Sequence, residues 1–204
     1  MPLIDLTFAV SASSVSSDST FTLMRSTIQS IVQKYGVDRI HYSVIVFGSV
    51  PTAPIDFSSN IPDRDQLIRT LSRLPKSSGR PDLVKALQEA KRVFELREVR
   101  PNARKVLVVI MDNASVGNKK DLNQVVSVLV NRSVLIIGVG VGSSINKEDL
   151  EIITEEIRNI ITVGISKTPD ELAKEIMAII LRSKLVHLVI LLKIPFLFFH
   201  LQVY

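Results

Sequence analysis

The segment FAVSASSVSSDSTF, residues 8–21, concentrates hydroxyl groups at one place in the chain. An apolar run ending at Val10 gives way to Ser11, Ala12, Ser13, Ser14, Val15, Ser16 and Ser17, and a helical pattern takes over at Asp18. A buried strand that ends in a hydroxyl-rich loop and feeds a helix is a common seat for a ligand or a metal ion. This loop holds no carboxylate of its own, although hard cations take oxygen ligands that normally include one. It therefore reads either as a cation site or as the remnant of one.

Other residues with chemical potential carry less. The glycines of GVGVG, residues 138–142, invite a nucleotide reading, but the third glycine of a dinucleotide fingerprint is missing and the segment follows a late strand. The expectation is a strand whose backbone packs closely and then turns. His41 falls inside a predicted strand, and His187 and His200 lie in an apolar tail, so no general base is expected from them. Neither a nucleophile elbow nor a Walker loop occurs. With no cysteine, a disulfide scaffold, a thiolate zinc site and a cysteine nucleophile are all excluded. Asn113-Ala114-Ser115 and Asn131-Arg132-Ser133 are glycosylation sequons. Asn131 is the more usable, because it falls in a helix-to-strand connection.

At 204 residues and 46% apolar content, the chain suits one domain with a sizeable core. Aromatics are only 5%, so Val, Ile and Leu must fill that core, which favours layered packing of strands and helices. The net charge of +5 is spread along the chain, and no nucleic-acid partner is expected. The opening MPLIDLTF has neither a basic n-region nor a cleavage motif, so it is not expected to be a signal peptide. An exported form would then be a piece of a longer chain. Residues 185–204, LVHLVILLKIPFLFFHLQVY, stand apart from a domain expected over 1–184. Lys193 and Pro195 interrupt what would otherwise approach a membrane span. The expectation is a truncated or non-native end, or one that folds back on the domain. A tail anchor is the alternative, and a membrane is a partner only in that case.

Short apolar runs alternate with helical periods along the rest of the chain. Strands are expected at 4–10, 40–48, 105–111, 134–141 and 160–165, with a short edge strand at 54–57. The runs VLVVIM and VLIIGVGV are nearly continuous, as in parallel strands covered on both faces. Helices are expected at 18–34, 63–74, 82–97, 119–131, 146–157 and 168–184. Asp18 is expected to cap the first helix, with Gly36 after its end. Thr168, Pro169 and Glu171 are expected to open the last as a capping box. This alternation specifies a doubly wound α/β sheet with helices on both faces. Ligands of such sheets bind beyond the carboxyl ends of the strands, where the chain order reverses. The serine-rich loop lies there.

Four segments taken together resemble the von Willebrand factor type A domain. They are IDLTFAVSASSVSSDSTFTLMRSTIQSIVQKYG, IHYSVIVFGSVPTAPIDFS, SGRPDLVKALQEAKRVF and RKVLVVIMDNASVG, and the resemblance spans 3 to about 184. It implies a Rossmann-like, mostly parallel six-stranded sheet with one antiparallel edge strand. It also implies a divalent-cation site on three loops, the metal-ion-dependent adhesion site. In the family the first loop reads Asp-x-Ser-x-Ser, the second supplies a threonine and the third an aspartate. Here those positions fall on Ser11, Ser13 and Val15, then on Pro81, then on Asp112. Ser13 and Asp112 keep the pattern; Ser11, Val15 and Pro81 depart from it. A unit charge about 4 Å from the ion contributes roughly 4 kcal/mol at an effective dielectric near 20. That is about three decades of affinity lost with the first aspartate alone. Magnesium is expected to bind weakly at most, and no cofactor is expected.

The resemblance thus implies a non-enzymatic protein-binding module of an extracellular matrix or cell-adhesion protein. Its binding face would be lined by Ser11, Ser13, Ser14, Arg80, Pro81 and Asp112. An intracellular scaffold domain is the alternative, and a metal-dependent enzyme has only Asp112 in its support. Arg80, beside the vacated threonine position, would substitute for the ion by receiving a partner's carboxylate. The alternative is that it points into solvent or pairs with Asp82.

Overall fold

The computed structural model describes residues 1–191 except 14, 15, 60, 62, 114 and 155, and side chains as far as 182. Its strands are β1 (Ile4–Ser11), β2 (Ile40–Phe47), β3 (Pro51–Ile55), β4 (Arg104–Met111), β5 (Leu135–Val141) and β6 (Ile160–Val163). The helices are α1 (Asp18–Tyr35), α2 (Arg64–Ser72), α3 (Leu83–Phe94), α4 (Lys119–Asn131), α5 (Lys147–Thr154) and α6 (Pro169–Leu191). They build one six-stranded sheet of order β3-β2-β1-β4-β5-β6, in which only the β3 edge pairing is antiparallel. The expected doubly wound architecture is the one observed.

The continuity of the apolar runs has its cause in this layering. Every residue of β1 is buried, because helices cover both faces of the central strands. Ile4, Leu6, Phe8 and Val10 face one layer with Met24, Ile28 and Ile31 of α1 and Ile176, Met177 and Ile180 of α6. Ala9 faces the other, with Leu83, Leu87 and Val93 of α3 and with residues of α4 and α5. The glycines of β5 serve the second layer. A Cβ on Gly138 would lie 3.0 Å from Thr154 Cγ2, and one on Gly140 would lie 3.0 Å from Leu150 Cδ1 and 2.4 Å from Ile145 Cδ1, so α5 and the loop before it close directly on the strand backbone. The glycine run is thus a packing feature, as expected.

Several boundaries differ from expectation for local reasons. Ser17, not Asp18, caps α1, its hydroxyl accepting from Thr20 N at 3.1 Å. Asp18 instead pairs with Lys76 at 2.6 Å. The edge strand is 51–55 rather than 54–57, and it is only half-buried. Thr168 and Glu171 do form the capping box, with Thr168 N donating to Glu171 Oε2 at 3.0 Å and Glu171 N to Thr168 Oγ1 at 3.3 Å. The helix they open runs on to Leu191, beyond the expected end at 184. Residues 192–204 of the apolar tail lie outside the described residues. Among those described, no helix is long and apolar enough to cross a membrane.

One buried ion pair ties the amino end of the sheet. Asp5 is fully buried, and its carboxylate accepts from Arg100 Nε at 2.7 Å and from Arg100 N at 2.8 Å. The same guanidinium reaches Ile4 O at 2.6 Å. His41 stands opposite Asp5 in the β1–β2 register and packs on Phe57, with ring centroids 5.0 Å apart. It therefore sits at the end of the sheet remote from the serine loop.

Candidate functional site

The register of the central strands assembles the site. Val10 of β1 is opposite Ile110 of β4, so Ser11 and Asp112, each just beyond, emerge together at the carboxyl end of the sheet. On the other side Ser11 is opposite Phe47, whose carbonyl accepts from Ala12 N at 3.0 Å. The position is the point where strand order reverses between β1 and β4.

Asp112 is the hub. Its Oδ1 accepts from Ser11 Oγ at 3.0 Å and from Ser16 Oγ at 2.9 Å. Ser13 Oγ lies 3.2 Å from Ser16 Oγ, which extends the hydroxyl chain by one member. All four residues are buried: Ser11 and Ser13 are 0% exposed, Ser16 is 5% and Asp112 is 7%. A loop turn brings Ser16 back into reach, with Ser16 N donating to Ser13 O at 3.1 Å. Ser16 is the member of this cluster that the Asp-x-Ser-x-Ser pattern misses, because that pattern counts positions 11, 13 and 15. The run of serines past Val15 was the available signal.

The second loop, 75–82, is stitched to the first and the third. Ser77 N donates to Ala12 O at 2.7 Å, and Lys76 Nζ donates to Ser16 O at 2.9 Å. Pro81 is buried, and its carbonyl accepts from Val116 N at 2.8 Å and from Ser115 Oγ at 3.2 Å. Gly79 adopts φ +72° beside Ser49, where a Cβ would come within 2.6 Å of Ser49 Oγ. Arg80 is exposed and makes no ion pair among the described residues. Asp82 is engaged elsewhere: it caps α3 through Lys85 N at 3.1 Å and pairs with Lys85 Nζ at 3.1 Å. Of the two alternatives weighed for Arg80 beside the partner role, pairing with Asp82 is therefore replaced by exposure to solvent. Ser14 and Val15 lie outside the described residues.

The third loop rests on α5. The Ser115 amide hydrogen-bonds the carboxyl of Asp149, a buried residue whose Oδ2 has no partner among the described residues. Burial raises the Asp149 carboxyl above its usual value, with Glu148 acting in the same sense and the Ser115 amide and Lys119 against it. In chemical terms the site offers one carboxylate whose Oδ1 accepts from two hydroxyls, an ammonium held between Ser16 O and the Asp18 carboxylate, and, next to Pro81, an exposed guanidinium without an ion pair among the described residues. No group of three or more His, Asp or Glu side chains comes together among the described residues.

Comparison with known proteins agrees with the architecture. The model of the von Willebrand factor type A domain matches residues 5–175, and the chain belongs to that family. The fold is similar to that of proximal thread matrix protein 1 from the mussel byssus, with a TM-score of 0.75 at 21% identity, over 86% of this chain and 45% of that one. A second structure of that protein, described as having a zinc-occupied MIDAS motif, gives a TM-score of 0.73 at 22% identity over 87% and 44%. The manganese-loaded TRAP protein of Plasmodium vivax gives 0.71 at 19% identity, over 85% of this chain and 72% of that one. The chain thus spans less than half of the mussel protein. These likenesses concern the fold; the zinc and the manganese belong to the other proteins.

Proposed function

We propose that this chain is a non-enzymatic protein-binding module that engages its partner without a divalent cation. The observation that carries this reading is the state of Asp112, whose Oδ1 is occupied by the hydroxyls of Ser11 and Ser16. The donor set does not fit a hard cation. Magnesium needs near-octahedral oxygen ligation, normally with a carboxylate, and here one carboxylate faces hydroxyl hydrogens. Pro81 supplies neither a hydroxyl nor a free carbonyl, because its oxygen is bound to Val116 N. Lys76 brings an ammonium to the first loop.

The face expected from the sequence, Ser11, Ser13, Ser14, Arg80, Pro81 and Asp112, is narrowed by burial. Ser11, Ser13, Pro81 and Asp112 are buried and support it from beneath, and Arg80 is its exposed, charged member, without an ion pair among the described residues. A guanidinium receives a carboxylate through two parallel hydrogen bonds in a geometry that is always charged. Family membership and likeness to a byssal thread matrix protein support an adhesive or matrix role and an extracellular setting. Asn131 is then the glycan acceptor: it is exposed at the end of α4. At the other sequon Ser115 Oγ is held by Leu83 N and Pro81 O.

Solid-phase binding to a panel of matrix and cell-surface proteins, with and without EDTA, tests this reading. A partner found this way should bind equally well in EDTA. Arg80→Ala should weaken it by about 1.5–3 kcal/mol, the range for hydrogen bonds to charged groups. Binding that EDTA abolishes, or that the substitution leaves untouched, would refute the proposed mode.

A further inference from the structure

A second surface, away from Asp112, has the makings of a recognition site. Between the edge strand β3 and the carboxyl end of α2 lies a groove of about 450 Å³, lined by Pro54, Arg69, Arg73, Leu74 and Pro75 among others. That volume is in the ordinary range of ligand clefts, about 300–1,000 Å³. Arg69, in the last turn of α2, and Arg73, its C-cap, are both exposed and both line this groove. Neither forms an ion pair among the described residues, whereas their neighbour Arg64 pairs with Asp65 at 3.5 Å. Arg25 adds a third guanidinium to this flank, its Nη1 bound to Ser72 O at 2.9 Å. Cations suit the last turn of a helix, which accounts for one of them. It does not account for two unpaired guanidiniums converging on a groove walled by exposed prolines.

We infer that this groove binds an acidic, extended segment of a partner protein. Alternate side chains of an extended segment lie about 6.6–6.8 Å apart on one side, a separation that two long arginine side chains lining one groove can span. Two carboxylates at i and i+2 therefore meet the two guanidiniums, each bidentate. Apolar side chains flanking them pack on Pro54 and Pro75. The segment lies across side chains and does not extend the sheet, since Pro51 and Pro54 remove two amides from β3. The proline walls also favour a peptide over a sulfated polysaccharide, which needs a longer track of cations. This surface shares no residue with the Asp112 face, so either proposal stands or falls without the other.

The test uses the full chain and a fluorescein-labelled, end-blocked peptide Leu-Glu-Ser-Glu-Leu, read by fluorescence anisotropy. Leu-Gln-Ser-Gln-Leu serves as the uncharged control and a heparin-derived hexasaccharide as the competing ligand class. The acidic peptide should bind saturably at roughly millimolar or tighter. Replacing its two carboxylates, or making Arg69→Gln with Arg73→Gln, should each weaken binding about tenfold or more. Thermal melts of the variants should match the parent. No saturable peptide binding, or binding indifferent to the two arginines, overturns the proposal. So does arginine-dependent capture of the hexasaccharide by a chain that ignores the peptide.

Discussion

Ser11 donates its hydroxyl hydrogen to Asp112 across 101 residues of chain, at 3.0 Å and in a fully buried setting. The bond joins the ends of β1 and β4, the parallel strands between which the strand order reverses. A carboxylate at position 11 would repel Asp112 unless a cation lay between them. A serine there closes the gap directly, and Ser16 completes the closure at 2.9 Å.

The energetic weight of this network should be unequal among its members. Ser11→Ala removes one of two donors and should cost about 0.5–1.5 kcal/mol. Asp112→Ala strands the buried hydroxyls of Ser11 and Ser16 together and should cost more, about 1–3 kcal/mol. Urea denaturation of both variants checks the order, and an Asp112→Ala variant as stable as the parent would contradict it.

Gly48 sets how closely the second loop approaches β2. A Cβ at this position would fall 2.3 Å from the backbone oxygen of Ser78, so the loop must retreat. Gly48→Ala should destabilise by about 1–3 kcal/mol, as overpacking does. Amide exchange at Ser49 and Ser77, whose N–H groups bond Ser78 O and Ala12 O, should speed up with it. Unchanged protection at both amides would show that the loop is not held from this side.

The Asp5–Arg100 pair makes a stability prediction independent of the site. Arg100→Met would leave the fully buried Asp5 carboxylate without its cation. Breaking such a pair from one side costs about 3–5 kcal/mol. A loss well under 1 kcal/mol in chemical denaturation would mean that water replaces the guanidinium.

Asp149 should leave a mark on the pH dependence of stability. Its folded carboxyl titrates above the unfolded value of 3.8, so the folded chain holds the proton more tightly. That contribution is complete below pH 3.8 and is lost as the pH rises through the folded value. Asp149→Asn should therefore gain stability relative to the parent on going from acid to neutral pH. Parallel profiles for the two proteins would remove Asp149 from the account.

The parallel strands were legible because a run buried on both faces is nearly continuous in apolar residues, as Val106–Met111 of β4 and Leu135–Val141 of β5 are. The edge strand was misplaced by three residues: Pro51, Thr52 and Ala53 offer neither a continuous run nor an apolar alternation. Ser11, Ser13 and Asp112 could be picked from the chain because a family pattern names their positions. Ser16 stood in the same serine run but outside that pattern, and only the turn that returns it to Asp112 gives it its place in the cluster. Lys76 was hidden for a related reason. A lysine in a polar loop reads as solvated surface until the fold lays its ammonium on Ser16 O.

Asp112 accepts from two hydroxyls at Oδ1, and on the proposed reading it holds no divalent ion. Calorimetric titration of the chain with Mg²⁺ and Mn²⁺ tests it most directly, run beside a variant carrying Ser11→Asp, Val15→Ser and Pro81→Thr. The parent should bind neither ion more tightly than about millimolar, while the variant, with Asp112 and Ser13 already in place, should recover binding. A dissociation constant near micromolar for the unaltered chain would contradict it.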